Sequence, residues 1–341
     1  MLRPSSIIHG LRSVLAGIMK RILFLFAGFL AVALGLTDAG AQIYPDRPVK
    51  LVVPFTPGSP VDVLGRVIAQ QLSSRLGQSV IIDNRPGAGT SIGAKAVAAA
   101  EPDGHTLLLT GTNLVYLPEL YRNLEFDPIR SFAAIAMLTT WSHALVVALS
   151  VPANTVAEFI AYARANPGKL NFGFGLGTTP QILGEYFKAI TGTDINSVPY
   201  RGGVQAISDM LGDRIHMNFG TTATLLALIR QGNVRALAYT GVTRHPDLPD
   251  VPTVIEAGLP QLAFDPDVCI GLLAPAGTPA VVVDKLNFAA NESLKAPETL
   301  ASFAKLGIAP KSSSPREFAA FLTEEARKWP PILKASGVKP E

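Results

Sequence analysis

The chain has 341 residues, of which 29 are Lys or Arg, 26 are Asp or Glu and one is Cys. A chain of this length can bury its own hydrophobic core, and two compact lobes are expected from it. Cys269 is the single cysteine, so a disulfide within the chain is excluded, and the few histidines have no ligand-spaced partner for a structural zinc site.

The first 41 residues predict export. Met19-Lys20-Arg21 precede the apolar run ILFLFAGFLAVALGL, and Ala39-Gly40-Ala41 follow it. A basic start, an apolar core and an A-x-A site are typical of a secretory signal peptide. The run is shorter than the roughly 20 apolar residues that a membrane span needs. We therefore expect residues 1–41 to be a signal peptide cleaved near Ala41, with Met19 as an alternative start and the periplasm as the location.

Removal of this segment changes the charge of the chain. The segment carries four basic residues and one acidic residue, so Lys plus Arg falls from 29 to 25 and Asp plus Glu from 26 to 25. The remaining chain has a net charge of zero and no cluster of Lys and Arg. Binding to nucleic acid depends on a basic surface, so we exclude nucleic acid as a partner.

The first predicted strand ends in a turn that starts a helix. VKLVVPF (49–55) is apolar and β-branched, and apolar residues then recur at helical spacing from residue 61 to 76. Ser59 suits an N-cap, Pro60 a first helical position, and Asp62 the position whose acid reaches back to the cap. The N–H groups and the helix dipole at such a turn favour an anion, although no lysine is present for a P-loop grip. These residues alone allow either a structural cap or a ligand-binding loop.

Strand-like and helix-like segments alternate along the rest of the chain, which predicts α/β architecture with mainly parallel sheets. Strands are predicted at SVIID (79–83), HTLLLTG (105–111), HALVVAL (143–149) and LNFGFG (170–175). Helices are predicted at IGAKAVAAA (92–100), VAEFIAYARA (156–165), TPQILGEYFKAITG (179–192), VQAISDMLG (204–212) and REFAAFLTEEARKW (316–329). No flexible linker marks a boundary, so the chain is expected to cross between two lobes more than once.

Two motifs suggest catalysis or nucleotide binding, and neither fits its context. GTSIG (89–93) matches G-x-S-x-G, but a loop separates the preceding strand from Ser91, where a hydrolase elbow needs a direct turn. GFGLG (173–177) follows a strand, but Thr178 stands where the third glycine of a dinucleotide motif belongs. An exported serine hydrolase and a nucleotide-dependent oxidoreductase stay as alternatives. No nucleophile–base pair, carboxylate dyad or metal cluster is visible in the sequence, so we expect a binding protein with no cofactor and no enzymatic activity.

Several longer blocks together resemble a known family. They are YPDRPVKLVVPFTPGSPVDVLGR (44–66), LGQSVIIDNRPGAGTSIGAKAVAAAEPDGHTLL (76–108), VPYRGG (198–203), RHPDLPDVPTVIEAGLP (244–260) and APAGTP (274–279). In this order and spacing, the blocks are similar to the Bug family of extracytoplasmic solute receptors, which resemble the binding proteins of tripartite tricarboxylate transporters. The resemblance covers nearly all of the chain from Tyr44 onward.

The resemblance implies a two-lobed α/β fold like that of type II periplasmic binding proteins, with a ligand cleft between the lobes. Lobe 1 would comprise residues 42–144 plus 263–341, and lobe 2 residues 145–262. The implied ligand is a small organic carboxylate, held on lobe closure largely through backbone amides, hydroxyls and waters. The implied partners are the membrane subunits of a tripartite transporter, or the outer domain of a sensor kinase if the protein serves signalling. A monomer is expected.

The same resemblance implies ligand-binding residues in the loops that follow five strands. The implied set is Phe55, Thr56, Gly58, Ser59, Asp62, Thr110, Thr112, Asn113, Gly175, Gly177, Thr178, Thr179, Tyr200, Arg201, Gly202, Phe219 and Thr221. Within it, Asp62 is either a capping acid that supports its loop or a direct contact, and Arg201 either binds the ligand or is solvated.

Two departures from the family pattern imply a less polar cleft. The family usually has Pro-Gly-Gly in the first loop, where this chain has PGSP (57–60), and proline donates no N–H. The family often has a His-Leu pair where this chain has PQI (180–182), and Phe174 replaces a usual small polar residue. We therefore expect an apolar carboxylate, aromatic or short-chain, in preference to citrate or another polar dicarboxylate.

Overall fold

The computed structural model describes Met19 and residues 44–264 and 268–338. The predicted signal peptide and its cleavage site lie outside the described residues, apart from Met19. The described residues from Arg47 onward form one compact unit. In the part of the chain that is described, no helix combines the length and the apolar character that crossing a membrane requires.

The first of two sheets has six strands. They are β1 (Val49–Val53), β2 (Val80–Asn84), β3 (Thr106–Gly111), β4 (Phe132–Trp141), β10 (Val268–Pro275) and β11 (Ala309–Pro310). Their spatial order is β11-β4-β10-β3-β1-β2. β1 pairs in parallel with β2 and β3, so these three strands end at the same edge of the sheet. That edge carries the loop before Pro60 that the sequence singled out.

The second sheet has five strands. They are β5 (His143–Val147), β6 (Asn171–Gly175), β7 (Asn196–Tyr200), β8 (Met217–Thr221) and β9 (Arg235–Tyr239), in the order β7-β6-β8-β5-β9. β6 pairs in parallel with β7 and β8, whereas β5 pairs antiparallel with β8 and β9. The carboxyl ends of β6, β7 and β8 therefore also share one edge.

The prediction of mainly parallel sheets is wrong for this fold. Among the described strands, four pairs are parallel and five are antiparallel. Every antiparallel pair contains β4, β5 or β10. β4 ends at Trp141 in one sheet, and β5 begins at His143 in the other. These strands lie next to the points where the chain crosses from one sheet to the other. They are not part of a strand–helix–strand repeat, which is the connection that makes neighbouring strands parallel.

Eleven helices are described outside the short 3₁₀ turns at Ala88–Thr90 and Pro260–Leu262. They are α1 (Pro60–Leu76), α2 (Ser91–Ala98), α3 (Thr112–Val115), α4 (Leu117–Leu120), α5 (Val156–Ala165), α6 (Thr179–Thr191), α7 (Gly203–Leu211), α8 (Thr222–Arg230), α9 (Ala280–Ser293), α10 (Pro297–Lys305) and α11 (Pro315–Ser336). The predicted helices and strands are confirmed to within two residues at most ends. The exception is α11, which continues through Pro330 and Pro331 because Trp329 and Leu333 on either side are buried in the core.

Each sheet has its own hydrophobic core. Phe159, Phe172, Phe187 and Phe219 pack in the core of the second sheet. The core of the first sheet contains Trp329 and also Ile182, which comes from α6. α6 therefore packs against both cores and lies where the two sheets meet. The lobe boundaries at residues 144 and 263 stay a prediction.

Candidate functional site

The loop before α1 is closed by its own hydrogen bonds. Ser59 is the N-cap of α1, and its hydroxyl oxygen accepts the Asp62 N–H at 3.3 Å. The Asp62 carboxylate accepts the Gly58 N–H at 2.9 Å, whereas the Ser59 N–H donates to the Thr56 carbonyl. The predicted N-cap and the position of Pro60 are confirmed. The Asp62 carboxylate was predicted to reach back to the N-cap residue, but it bonds to the N–H of Gly58, one residue before the cap. Gly58 has a φ of +80°, which glycine adopts without strain, and its N–H points toward the carboxylate.

Asp62 connects this loop to its surroundings. Its carboxylate also accepts hydrogen bonds from Arg66 Nε at 3.0 Å and Asn84 Nδ2 at 2.9 Å. Burial acts to raise the pKa of Asp62, but the hydrogen bonds from Gly58, Arg66 and Asn84 outweigh it and hold that pKa below its ordinary value of 3.8. The ionised carboxylate ties the loop to the end of β2, which favours the supporting role over direct contact with a ligand.

The loop before α6 is folded by two side chains. Thr178 Oγ1 donates to the Gly175 carbonyl at 2.6 Å, and Gln181 Oε1 accepts the Gly177 N–H at 2.8 Å. Thr178 is the N-cap residue of α6, yet its side chain makes no capping bond to the helix. α7 also has no side-chain cap, since its N-cap is Gly202. Unlike α1, both helices therefore begin without a capping side chain across their first N–H groups.

A cavity of about 110 Å³ lies between the ends of the two sheets. We call it the inner compartment. Its walls come from the starts of α1, α6, α7 and α8 and from the ends of strands of both sheets. The side chains that line it include Phe55, Asn113, Trp141, His143, Asn218 and Phe219.

A second cavity, of about 540 Å³, adjoins the first and shares Phe55, Ser59, Thr178 and Gly203 with it. We call it the outer compartment. Its walls come from three segments: residues 54–56 and Ser59 before α1, residues 86–90 before α2, and residues 199–203 before α7, with Leu176 and Thr178 completing them. The two compartments together form one cleft between the sheets.

Four helices of nine or more residues begin at the walls of this cleft. Pro60, Thr179 and Gly203, the first residues of α1, α6 and α7, line it, and so does Thr221, the N-cap of α8. A helix N-terminus carries a partial positive charge of about half an elementary charge. Among the described lining residues, Arg201 is the only Lys or Arg, and none is Asp or Glu. The electrostatics of the cleft therefore favour an anion.

Three contacts among the described residues join the two sides of the cleft. A Cβ atom on Gly177 would lie 2.2 Å from the Cα of Gly89, and one on Gly202 would lie 2.9 Å from Thr56 Oγ1. The hydroxyl groups of Tyr116 and Thr179 are hydrogen-bonded at 2.8 Å. Each contact joins a segment next to the first sheet to a segment next to the second, and glycine makes two of these approaches possible.

The structure brings most of the sequence-predicted site residues to the walls of the cleft. The predicted residues that line it are Phe55, Thr56, Ser59, Asn113, Gly175, Thr178, Thr179, Tyr200, Arg201, Gly202, Phe219 and Thr221. Their contact with a ligand stays a prediction.

Five predicted residues lie behind the walls. Gly58 and Asp62 bond to each other, and Gly177 packs on the loop before α2. Thr110 is fully buried in β3, and the Thr112 hydroxyl accepts the backbone N–H of Cys269 at 2.9 Å. These positions suit residues that hold the walls in place.

Sequence reasoning missed part of the inner wall. Trp141, His143 and Asn218 come from β4, β5 and β8, and no local motif marks them. It also missed Thr90, which lines the outer compartment with a φ of +88°, a backbone conformation that costs free energy for a β-branched residue. The one available signal was the glycine-rich run before Ser91.

One sequence argument is corrected, and another is confirmed. Phe174 does not make the cleft less polar, because its side chain packs in the core against Phe172, with ring centroids 4.9 Å apart. Ser91 begins α2 after a 3₁₀ turn, whereas β2 already ends at Asn84. The strand-to-nucleophile turn of a hydrolase elbow is therefore not formed at Ser91.

The chain forms two β-sheets with helices between their strands, and the sheets meet at a cleft lined by helix N-termini. This arrangement defines the fold of a periplasmic binding protein. Solved structures agree. The periplasmic binding protein BugD is 31% identical, covers 87% of this chain and 100% of its own, and has a TM-score of 0.81. The R. palustris protein Rpa4515 with adipate is 33% identical, with the same coverages and a TM-score of 0.80.

Sequence comparison identifies the family. Residues 64–338 match the model of the tripartite tricarboxylate transporter family receptor. Protein BugT of Bordetella pertussis is 32% identical over 324 residues, which is 94% of this chain and 99% of that protein. The chain therefore belongs to the tripartite tricarboxylate transporter family of receptors, and the predicted resemblance to Bug proteins is confirmed.

Proposed function

We propose that this protein is a solute receptor that captures a small organic carboxylate for a tripartite tricarboxylate-type transporter. The observation that carries the proposal is the convergence of four helix N-termini on a cleft whose described lining has one Arg and no acidic residue. The adipate in the related Rpa4515 structure supports a carboxylate ligand.

The carboxylate would be held largely by backbone amides, hydroxyls and waters. The uncapped first turns of α6 and α7 offer N–H groups, and Thr56, Thr90 and Ser59 offer hydroxyls at the walls. A hydrogen bond to a charged group contributes about 1.5–3 kcal/mol, so a few of them would account for micromolar binding, roughly −8 kcal/mol. Lobe 1 (residues 42–144 plus 263–341) and lobe 2 (145–262) would close on the ligand, and the contacts at Gly177 and Gly202 suit such closure.

The inner compartment favours a ligand with an apolar part. Phe55, Pro60, Pro180, Val268 and Ile270 contribute to its walls. An aromatic or short-chain acid would place one end there and bury apolar surface, at about 25 cal/mol per Å², which citrate cannot match. Titration calorimetry with benzoate, adipate and citrate tests this preference, and much tighter binding of citrate would contradict it.

The proposed location and partners follow from the same role. The protein would be exported to the periplasm and act as a monomer. It would deliver its ligand to the membrane subunits of the transporter, or to the outer domain of a sensor kinase if it serves signalling. It would catalyse no reaction, so Ser91→Ala should leave ligand-induced thermal stabilisation unchanged.

Native mass spectrometry of the purified protein tests the proposal first. Gentle ionisation should retain a bound solute, and denaturation would then release it for identification. A stoichiometric carboxylic acid is the expected result. A protein that carries no acid, and that a broad carboxylate panel does not stabilise against heat, would overturn the proposed function.

A further inference from the structure

Two buried polar atoms at the inner compartment have no hydrogen-bond partner among the described residues. They are Nε1 of Trp141 and Oδ1 of Asn218, and these two residues are 7% and 2% exposed. Both residues line the inner compartment. Most buried polar groups in proteins are paired, because leaving one unpaired costs free energy. Two such atoms at one small cavity therefore point to a ligand that pairs with both.

The orientation of the Asn218 amide is set by its neighbour. Asn218 Nδ2 donates to the Gly173 carbonyl at 2.7 Å, and a carbonyl can only accept. The amide nitrogen must therefore face Gly173, which leaves Oδ1 as the atom without a partner. Gly220 lies two residues further along β8 and also lines the compartment, and a Cβ there would lie 3.0 Å from Asn218 Oδ1. The glycine keeps a side chain away from this oxygen.

The pair of atoms requires a particular chemistry. The Trp141 indole N–H can only donate, and the unpartnered Asn218 oxygen can only accept. A methyl group would pair with neither atom. A carboxylate would pair with Trp141 but would bring a second acceptor to Asn218. A hydroxyl group accepts one hydrogen bond and donates another, so it pairs with both.

The size of the compartment limits what enters it. Its volume of about 110 Å³ is smaller than the roughly 150 Å³ of an engineered cavity that holds one benzene. Only one small fragment of a ligand fits, so a single polar group would serve both atoms. The outer compartment is larger and contains Arg201, so it suits the carboxylate end.

We propose that the inner compartment is a hydroxyl-binding subsite and that the natural ligand is a carboxylate with a hydroxyl group at its far end. Trp141 Nε1 donates a hydrogen bond to this hydroxyl, and the hydroxyl donates a hydrogen bond to Asn218 Oδ1. The inference rests on the proposed function and deepens it by naming the ligand class.

Titration calorimetry on two matched pairs of acids tests the subsite. The pairs are 4-hydroxybenzoate with benzoate and 6-hydroxyhexanoate with hexanoate, and adipate serves as the acid with a second carboxylate. In the wild-type protein, the hydroxylated member of the tighter-binding pair should bind at least about tenfold more tightly than its partner, because the unhydroxylated acid leaves both buried atoms unpaired.

Three variants assign the effect to the two atoms. Trp141→Phe removes the N–H but keeps an aromatic ring, and Asn218→Ala removes the acceptor. Each should bring the ratio of the two affinities close to one. Asn291→Ala is the matched control, because Asn291 also has a buried, unpartnered Oδ1 but does not line the cleft. It should keep the wild-type ratio, and thermal melting checks that each variant is folded.

The outcomes separate the two proposals. Equal binding within both pairs, tighter binding of adipate than of either hydroxylated acid, or a ratio that survives both Trp141→Phe and Asn218→Ala would overturn the subsite while leaving the receptor function intact. The same holds if Asn291→Ala also abolishes the ratio. If no carboxylate binds the wild-type protein at all, the proposed function fails, and the subsite fails with it. If both cleft variants unfold, the ratio in the wild-type protein decides.

Discussion

The two compartments of the cleft are built in different ways. The outer compartment is walled mostly by loop backbone, with Gly87, Gly89, Gly202 and Gly203 among its lining residues. The inner compartment is walled by side chains, among them Trp141 from the first sheet and Asn218 from the second. Backbone N–H groups recognise an anion whatever the rest of the ligand is, whereas buried side chains discriminate between ligands. We infer that the outer compartment binds the carboxylate group of the ligand and that the inner compartment discriminates between ligands.

The largest expected effect comes from the close approach of the loops at the outer compartment. Gly177→Ala would place a Cβ 2.2 Å from the Cα of Gly89. Overpacking of this kind typically costs about 1–3 kcal/mol, so carboxylate affinity should fall roughly 10- to 100-fold in calorimetry.

Gly232→Ala is the matched control for this prediction. Gly232 and Gly177 both have a φ of +70°, but a Cβ on Gly232 meets nothing within 4 Å. Both variants carry the same backbone strain, and only Gly177→Ala adds the clash across the cleft. Equal affinity of the two variants would show that the approach of these loops does not matter for binding.

The next largest effect is expected at Asp62, whose carboxylate holds the loop before α1 in place. Asp62→Ala removes the acceptor for Gly58, Arg66 and Asn84, and hydrogen bonds to a charged group contribute about 1.5–3 kcal/mol. Affinity should fall about tenfold, together with the melting temperature. Asp103→Ala is the control, because Asp103 pairs with Arg47 at 2.6 Å and does not line the cleft. It should lower the melting temperature without changing the affinity.

The same carboxylate predicts a pH dependence. The folded protein holds the pKa of Asp62 below its ordinary value of 3.8. A lowered pKa in the folded state means that the stabilisation is complete above the unfolded-state value and is lost as the pH falls through the folded-state value. The loop contribution should therefore be constant above about pH 5 and decline below pH 4. A plot of melting temperature against pH should be less steep there for Asp62→Ala than for the wild type.

A smaller effect is expected at the hydrogen bond across the cleft. Tyr116→Phe and Thr179→Val each remove one hydroxyl of the pair at 2.8 Å, which contributes about 1 kcal/mol. Each should weaken binding about fivefold. The double variant should weaken it little more than either single one, because the bond is already lost. Full additivity of the two effects would contradict a coupling between these residues.

The smallest effect is expected at Arg201. This side chain is exposed at the outer compartment, where salt screens its charge. Arg201→Gln should weaken carboxylate binding about twofold at low salt and less at high salt. Arg214→Gln is the control, because Arg214 is exposed but does not line the cleft. A loss of binding in Arg201→Gln that salt does not reduce would show that the arginine contacts the ligand directly.

Features that depend on neighbours in the chain were predictable. Ser59 and Pro60 start α1 as expected, and α6 covers residues 179–191 of the predicted 179–192, because caps and helical periodicity act over a few residues. The long blocks of family resemblance predicted the two-sheet fold and the receptor family. Phe174 shows the limit of this reasoning, since its place on β6 did not reveal that it faces the core.

The sequence by itself determined the starts of α1, α6 and α7, whose N-termini line the cleft, and it determined the family, whereas the start of α8 was not predicted. Only the tertiary structure decided the inner compartment. Trp141 and Asn218 stand 77 positions apart in the chain, on strands of different sheets, and meet at one cavity because the chain passes from β4 directly into the second sheet. No local pattern records such a meeting, because burial without a hydrogen-bond partner is a property of the surroundings and not of the residue.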